Sequence, residues 1–452
     1  MKRLSTVRCL GRVTRPACER SRLSVLTRPR HTATFSSSSS RHHDFHFHAE
    51  PSKENTLSPT DLSRLIEEHA KHPPRPLTLS TLLSFARPLT PESVLKSVGY
   101  VFTEIPRRLA MRARSLESLP FIVGMNPFIT RTLQAHRRAF QFLIMHPPVK
   151  TLEENARFIE QLSELVQSHA NDIPAMAKGF QECSRYLTPE QISEFLDSTI
   201  RNRIAVRLIA EQHIAFVATW RGETKQTDET HLGVVDLACS PKEMIGVCGS
   251  FVSDLCEATL GASPQIVIDG DADATFAYVP VHLEYILTEI LKNAFRATVE
   301  WHQRHHSHTS TVPIPPVVIT IAAPPRSDPS GPNGIRTPCP RYLSMRVRDQ
   351  GGGVPPANMS RIFSYSFTTA GRGAEGNGSG YDDDGMGGDG GGSGSGGGLF
   401  TEITGRGVQM GMGTIAGLGY FGGSLDFKSL DGWGSDVFIK LRCLDDGGDI
   451  EL

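Results

Sequence analysis

The chain has 452 residues, enough for two domains of ordinary size. Its 47 Lys and Arg nearly balance 48 Asp and Glu, so a net charge of −1 gives no bulk attraction for nucleic acid or an anionic membrane. No apolar run is long enough to cross a bilayer, and eight cysteines without a CxxC pair read as reduced, buried thiols rather than a disulfide framework or zinc site.

The first forty residues hold nine Lys or Arg against the single acid Glu19, with serines at 36–40 and no secretory-type apolar core. An Arg-rich, Ser-rich, acid-poor start predicts a mitochondrial transit peptide; a disordered basic tail is the alternative. His42, His43, His46 and His48 lack a Cys or acid at ligand spacing and read as a flexible junction, so 1–45 is set apart. From about 75 to 228 the pattern is helical. The segments 91–110, 131–145, 152–170 and 191–219 carry apolar residues at three- and four-residue spacing. Prolines at 120, 127, 147–148 and 189 punctuate them, which predicts an antiparallel four-helix bundle.

From about 234 to 445 strands and helices alternate. The runs 265–268, 317–321 and 343–348 predict strands, 280–301 predicts one clear helix, and 424–430 with 436–441 predict a hairpin across a Gly-rich turn. The fold class is therefore α+β: a bundle followed by a mixed α/β sandwich. Two inserts interrupt the second half. The His-rich stretch 302–310 reads as a solvated helix-to-strand loop in preference to a metal site, and 371–398 is a Gly/Asp/Ser tract that cannot bury a core.

Three groups of residues carry chemistry. Glu289, Asn293 and Arg296 fall at i, i+4 and i+7, on one helical face. An amide oxygen beside a carboxylate suits Mg²⁺, and a carboxylate that is not a ligand can take a proton from an attacking hydroxyl; a solvated polar stripe is the plain alternative. Asp349 ends a strand and is followed by three glycines, a fixed acceptor beside backbone that a ligand can approach, suited to the exocyclic amine of adenine. An ordinary Gly-rich turn fits that string equally well. Further glycines at 411, 413, 417 and 419 offer N–H groups to phosphates.

Taken in order, Asn293, Asp349 with its glycines, and Gly417 and Gly419 resemble the N box and glycine boxes of the GHKL ATPases. The fuller strings EILKNAFRATVE, DQGGGVP, IFSYSFTTA and FGGSLDFKSLDGWGSDVFIKL, with HANDIPAMAKG and FLDSTIRNRIAVRLIAEQHIAF in the helical half, are similar to the mitochondrial 2-oxoacid dehydrogenase kinases. The resemblance implies an ATP- and Mg²⁺-dependent protein-serine kinase of the mitochondrial matrix. Its substrate would be the decarboxylase component of a pyruvate or branched-chain 2-oxoacid dehydrogenase complex. It would dock on a lipoyl domain of the dihydrolipoyl acyltransferase core and form a homodimer. It also implies roles. Glu289 would be general base beside the nucleotide, Asn293 the Mg²⁺ ligand, and Arg296 a neighbour of the nucleotide. Asp349, with Gly351 and Gly353, would hold adenine. Thr368, Thr369, Gly417 and Gly419 would line the site, and His169 would orient the base.

In one place the chain departs from the family pattern. The family's second glycine box runs on through a third glycine and Leu-Pro into a helix, whereas here Ala416–Gly417–Leu418–Gly419–Tyr420 meets Phe421–Gly422–Gly423 directly. A helix N-terminus that would face the phosphates is missing. This leaves a second expectation, a non-catalytic module that docks on the lipoyl domain without transferring phosphate.

Overall fold

A computed structural model describes residues 57–85, 89–169, 172–222, 230–306, 312–324, 341–362 and 421–444. The basic leader, the insert 371–398, Thr368, Thr369, Gly417 and Gly419 lie outside these residues.

Eight helices come first: α1 (Pro59–Ala70), α2 (Leu79–Leu83), α3 (Pro91–Glu117), α4 (Phe121–Gly124), α5 (Pro127–Met145), α6 (Leu152–Ser168), α7 (Asp172–Glu182) and α8 (Pro189–Trp220). Their starts follow from side-chain chemistry. Thr90, Thr151 and Thr188 each accept from the N3 backbone N–H while the N3 side chain answers the cap, and Asn126 caps α5 ahead of a proline. The four long helices expected from the apolar spacing are α3, α5, α6 and α8. Helix α3 runs past residue 110 to Glu117 and tolerates Pro106 in its interior. It packs on α1, α5, α6 and α8. None of the helices among the described residues is long and apolar enough to cross a membrane.

The second half adds β1 (His231–Leu232), β2 (Val235–Cys239), α9 (Pro241–Leu260), β3 (Ile266–Gly270), β4 (Phe276–Tyr278), α10 (Pro280–His305), β5 (Val317–Ala322), β6 (Tyr342–Arg348), β7 (Ser424–Leu430) and β8 (Gly434–Arg442). A three-stranded antiparallel sheet has the order β1-β2-β4, and a five-stranded mixed sheet has the order β3-β5-β6-β8-β7. In the larger sheet only β3 and β5 are parallel. Its strands alternate: Val317, Ile319, Ile321, Leu343, Met345, Val347, Ile439 and Leu441 are buried, and α10 packs against β5 and β6.

Two expectations change. A second helix, α9, follows β2 and packs on α10, where only the segment 280–301 was expected to be helical. Its apolar pattern is diluted by Gly246 and Gly249, yet it starts at Ser240-Pro241 and stops at Gly261, which has φ +74°. The other change is that α10 does not end at Trp301. Nothing between Trp301 and His305 breaks a helix, so the first histidines of the expected loop are helical.

The two halves share one apolar core, which runs from Ile105, Leu109 and Phe140 through Leu208 to Ile290 and Ile439. A single buried amide joins them. Gln212 on α8 donates from Nε2 to the carbonyls of Leu82 (3.0 Å) and Leu232 (3.2 Å), and its Oε1 accepts from Val234 N–H at 2.7 Å. Gly233, at φ +68°, leaves room for it; a Cβ there would come within 2.4 Å of Gln212 Oε1. Replacing Gln212 by Leu strands three backbone groups, with an expected destabilisation of about 1–3 kcal/mol. Urea unfolding of the full chain measures it, and an unchanged midpoint would show that this clasp contributes nothing.

Candidate functional site

Helix α10 buries Leu283, Ile286, Leu287, Ile290 and Leu291, and with them the polar Glu289 and Lys292. Glu289 is 5 % and Lys292 7 % exposed, whereas Asn293 is exposed. Lys292 Nζ lies 2.5 Å from Glu289 Oε1. Burial raises the Glu289 pKa above the usual carboxylate range, and Lys292 pulls the other way. Arg296 donates from Nε to Glu300 Oε1 at 2.5 Å.

Asp349 sits just past β6, 6 % exposed, and its position is over-determined. Its backbone N–H donates to Ser435 O at 3.0 Å; its Oδ1 accepts from the N–H groups of Gly351 (2.9 Å) and Ser435 (3.3 Å). Burial pushes this carboxyl up to about 6, opposed by those two N–H donors. Beside it Arg348 grips Asp436 with two bonds of 2.8 Å, tying the end of β6 to the start of β8.

The glycines explain how the turn fits. A Cβ on Gly351 would meet Ala297 Cβ at 2.4 Å, and one on Gly352 would meet the Trp301 ring at 2.0 Å. A Cβ on Gly353 would meet Leu430 O, and one on Gly434 would meet Asp349 O, each at 2.2 Å. Gly352 and Gly353 also hold φ of +80° and +71°, a region that L side chains avoid. The turn is therefore wedged between α10 and the tip of the β7–β8 hairpin, where Gly432 N–H donates to Gly352 O at 2.8 Å and Gly352 N–H to Trp433 O at 3.1 Å. Ala297 and Trp301 continue the i+4 stripe begun by Glu289 and Asn293. The glycine turn thus rests about one helical turn, roughly 6 Å, from Asn293.

Of the residues expected from sequence, Glu289, Asn293 and Arg296 lie on α10, and Asp349, Gly351 and Gly353 lie on the turn that packs against Ala297 and Trp301 of the same helix. His169 lies on neither. It caps α6, donates from Nδ1 to Asp172 Oδ2 at 2.6 Å, and meets the His136 ring edge-on at 5.0 Å between centroids. With Asn202, Arg203 and Arg207 these residues line a cavity inside the bundle to which α10 contributes no residue. Burial lowers the His136 pKa to about 4. Burial raises that of Asp172, but the His169 bond and nearby cationic groups bring it below the ordinary value. The ligand atoms of His136, His169 and Asp172 lie within 4.8 Å of one another. The guanidiniums of Arg112 and Arg203 act on the same carboxylate, so a cation would meet like charge there. The buried Arg112 is held at about 9 chiefly by its burial, and its Nε and one NH group have no hydrogen-bond partner.

Sequence reasoning missed Lys292, Ala297, Trp301, Gly434 and Ser435. The first three were within reach, because they share a helix with Glu289 and two of them continue its stripe. Gly434 and Ser435 carry no local signal, since their part depends on which strand lies beside β6.

Comparison with known proteins gives the same assignment for both halves. Residues 76–236 match the family described as mitochondrial branched-chain alpha-ketoacid dehydrogenase kinase, and residues 278–444 match the histidine kinase-, DNA gyrase B- and HSP90-like ATPases. The chain is 25 % identical over 400 residues to the mitochondrial pyruvate dehydrogenase (acetyl-transferring) kinase 1 of Saccharomyces cerevisiae, covering 85 % of this chain and 88 % of that one. It is 25 % identical over 384 residues to the corresponding kinase of Arabidopsis thaliana, covering 82 % and 91 %. Against the mitochondrial kinase isozyme 4 of Homo sapiens it is 25 % identical over 396 residues, with 84 % of each chain covered. With the helix carrying Asn293, the clamped Asp349 and the glycine turn in place, the chain is similar, half by half, to the mitochondrial 2-oxoacid dehydrogenase kinases and to the GHKL-type ATPases, and its relatives over most of its length are mitochondrial pyruvate dehydrogenase kinases.

Proposed function

We propose that the chain is an ATP-dependent protein-serine kinase that inactivates the decarboxylase component of a mitochondrial 2-oxoacid dehydrogenase complex. The relatives named above are pyruvate dehydrogenase kinases, which favours the pyruvate complex; the match of the helical half to a branched-chain kinase keeps the other substrate in view. The reading places the protein in the matrix after removal of a leader within 1–45. It assigns 75–228 to docking on a lipoyl domain of the acyltransferase core, 234–445 to nucleotide binding with the insert 371–398 in its lid, and the assembled state to a homodimer.

One observation carries the nucleotide site: Asp349 is locked by backbone donors on one oxygen, next to glycines that keep side chains away. Its other oxygen is the acceptor for an adenine amine. Asn293, exposed one helical turn away, offers an amide oxygen to Mg²⁺. Bound ATP would supply the phosphoryl group, and Mg²⁺ would neutralise its charge. Glu289 takes the proton from the substrate serine. Its burial raises its basicity, and Lys292 beside it opposes that rise. Arg296, Thr368, Thr369, Gly417 and Gly419 complete the proposed set. For His169 the bundle cavity supports a role among His136 and Asp172 rather than on the base.

The shortened second glycine box favours the alternative, a non-catalytic module on the lipoyl domain. Phe421, directly after Tyr420 in sequence, is 4 % exposed and packs against Tyr278 at the end of β4 and His282 in the first turn of α10. Titration of Mg·ATP against the purified chain separates the two readings: saturable binding supports the kinase, and none supports the docking module.

Glu289→Gln keeps the shape and removes the base. Phosphotransfer should fall about 10²- to 10⁴-fold while Mg·ATP affinity stays within about twofold. Near-normal turnover would refute the assignment. Asp349→Asn turns an amide N–H toward the adenine amine, and the lost charged hydrogen bond, about 1.5–3 kcal/mol, should weaken Mg·ATP at least tenfold. In the native chain, affinity should hold above pH 7 and decline as pH falls through about 6, where the Asp349 carboxylate takes up a proton. Stability moves oppositely. The folded pKa lies above the unfolded value near 3.8, so this group's contribution is fullest below that value and is lost as pH rises through about 6. A flat affinity profile across this window would show that the carboxylate does not meet the nucleotide.

A further inference from the structure

The last turn of α10 arranges its histidines in two ways. His305 is engaged: its Nδ1 donates to Trp301 O at 2.9 Å, and its ring lies 3.9 Å, centroid to centroid, from the Trp301 ring. His302 and His306 face each other instead. The backbone N–H of His306 donates to His302 O at 2.9 Å, which fixes the two residues one helical turn apart. Their rings stand 4.6 Å apart at 40°, and both are partly exposed. Among the described residues neither ring is paired with a carboxylate.

His302 lies in the last turn of α10 and His306 caps it with an extended backbone, so two imidazoles at i and i+4 stand side by side, the sequence spacing of the histidine pair that holds zinc in helical sites. Imidazole nitrogen selects first-row transition cations over Mg²⁺ and Ca²⁺, which prefer oxygen. The place is also electrostatically suited, because a helix C-terminus carries the negative end of the macrodipole. We propose that His302 and His306 form a two-imidazole site for a divalent transition cation of the zinc or copper class, with water filling the remaining coordination positions.

The site lies on the same helix as Asn293 but more than two turns beyond it, so it is separate from the Mg²⁺ and nucleotide face. It cross-links the turn that begins at His302, next to Trp301, the residue on which Gly352 rests. A cation there stiffens the support of the glycine turn from behind.

The test uses the full chain without nucleotide, in excess Mg²⁺ to fill oxygen-rich sites. Cu²⁺, Ni²⁺ and Zn²⁺ are titrated separately by calorimetry. Wild type should bind one equivalent at this site, Cu²⁺ most tightly and Ni²⁺ and Zn²⁺ less so. His302→Gln or His306→Gln should weaken that equivalent at least tenfold, and the double variant should abolish it. His305→Gln should leave it within about twofold, since that ring serves Trp301. Thermal unfolding gives a second reading, in which Zn²⁺ raises the Tm of wild type and of His305→Gln but not of the folded double variant. The proposal is overturned if the double variant binds as wild type does, which would place all binding at other histidines. It is equally overturned if His305→Gln loses as much as His302→Gln, or if Zn²⁺ raises the Tm of the double variant by the same amount.

Discussion

The nucleotide half depends on how the Asp349 carboxylate is held. A buried carboxylate is costly unless it is hydrogen-bonded. Here the Gly351 and Ser435 N–H groups satisfy one oxygen. The cost shows in the pKa, which burial lifts to about 6 despite both donors. Everything adjacent follows from that arrangement. β8 must lie beside β6 for Ser435 to arrive, the hairpin must turn at Gly432 to back Gly352, and α10 must present a small residue, Ala297, where Gly351 approaches. Four glycines without room for a Cβ are the consequence.

Helix α8 connects this half to the bundle. It carries Asn202, Arg203 and Arg207 on the cavity wall and, one turn beyond Arg207, the Gln212 clasp that binds the β1–β2 connection. The same cavity gathers His136, His169 and Asp172, with Arg203 Nη1 donating to His169 O at 2.6 Å. Arg112 and Arg203 both act on the Asp172 carboxylate there, whereas the Asp349 carboxylate is held by backbone N–H groups among glycines. The two sites therefore make different chemical demands on ligands, although a single apolar core packs beneath both.

Much of this was legible in the sequence, and the parts that were not share a cause. Strands β5, β6, β7 and β8 and helices α3, α5, α6, α8 and α10 announce themselves by period and by caps such as Thr151 and Thr188, which act within a few residues. Glu289, Asn293 and Asp349 stand out because carboxylates and amides at helical spacing or at a strand end are conspicuous. Helix α9 is less visible because its glycines thin the apolar stripe. Gly434 and Ser435 are not legible locally, since their function depends on a partner 86 residues away. For His169 the resemblance implies orienting the base, and its described contacts run to Asp172, His136 and Arg203. The His-rich stretch after Trp301 looked like a loop because its polarity is loop-like, yet the helix continues through its first residues.

The central claim is that nucleotide occupies the edge between α10 and the glycine turn after β6. Hydrogen–deuterium exchange of the full chain, with and without saturating Mg·ADP, tests it directly. The account predicts new protection at Gly351–Val354, at Gly434–Ser435 and across Glu289–Arg296, with little change around His136 and His169. Protection confined to the bundle cavity, with none at the glycine turn, would contradict it.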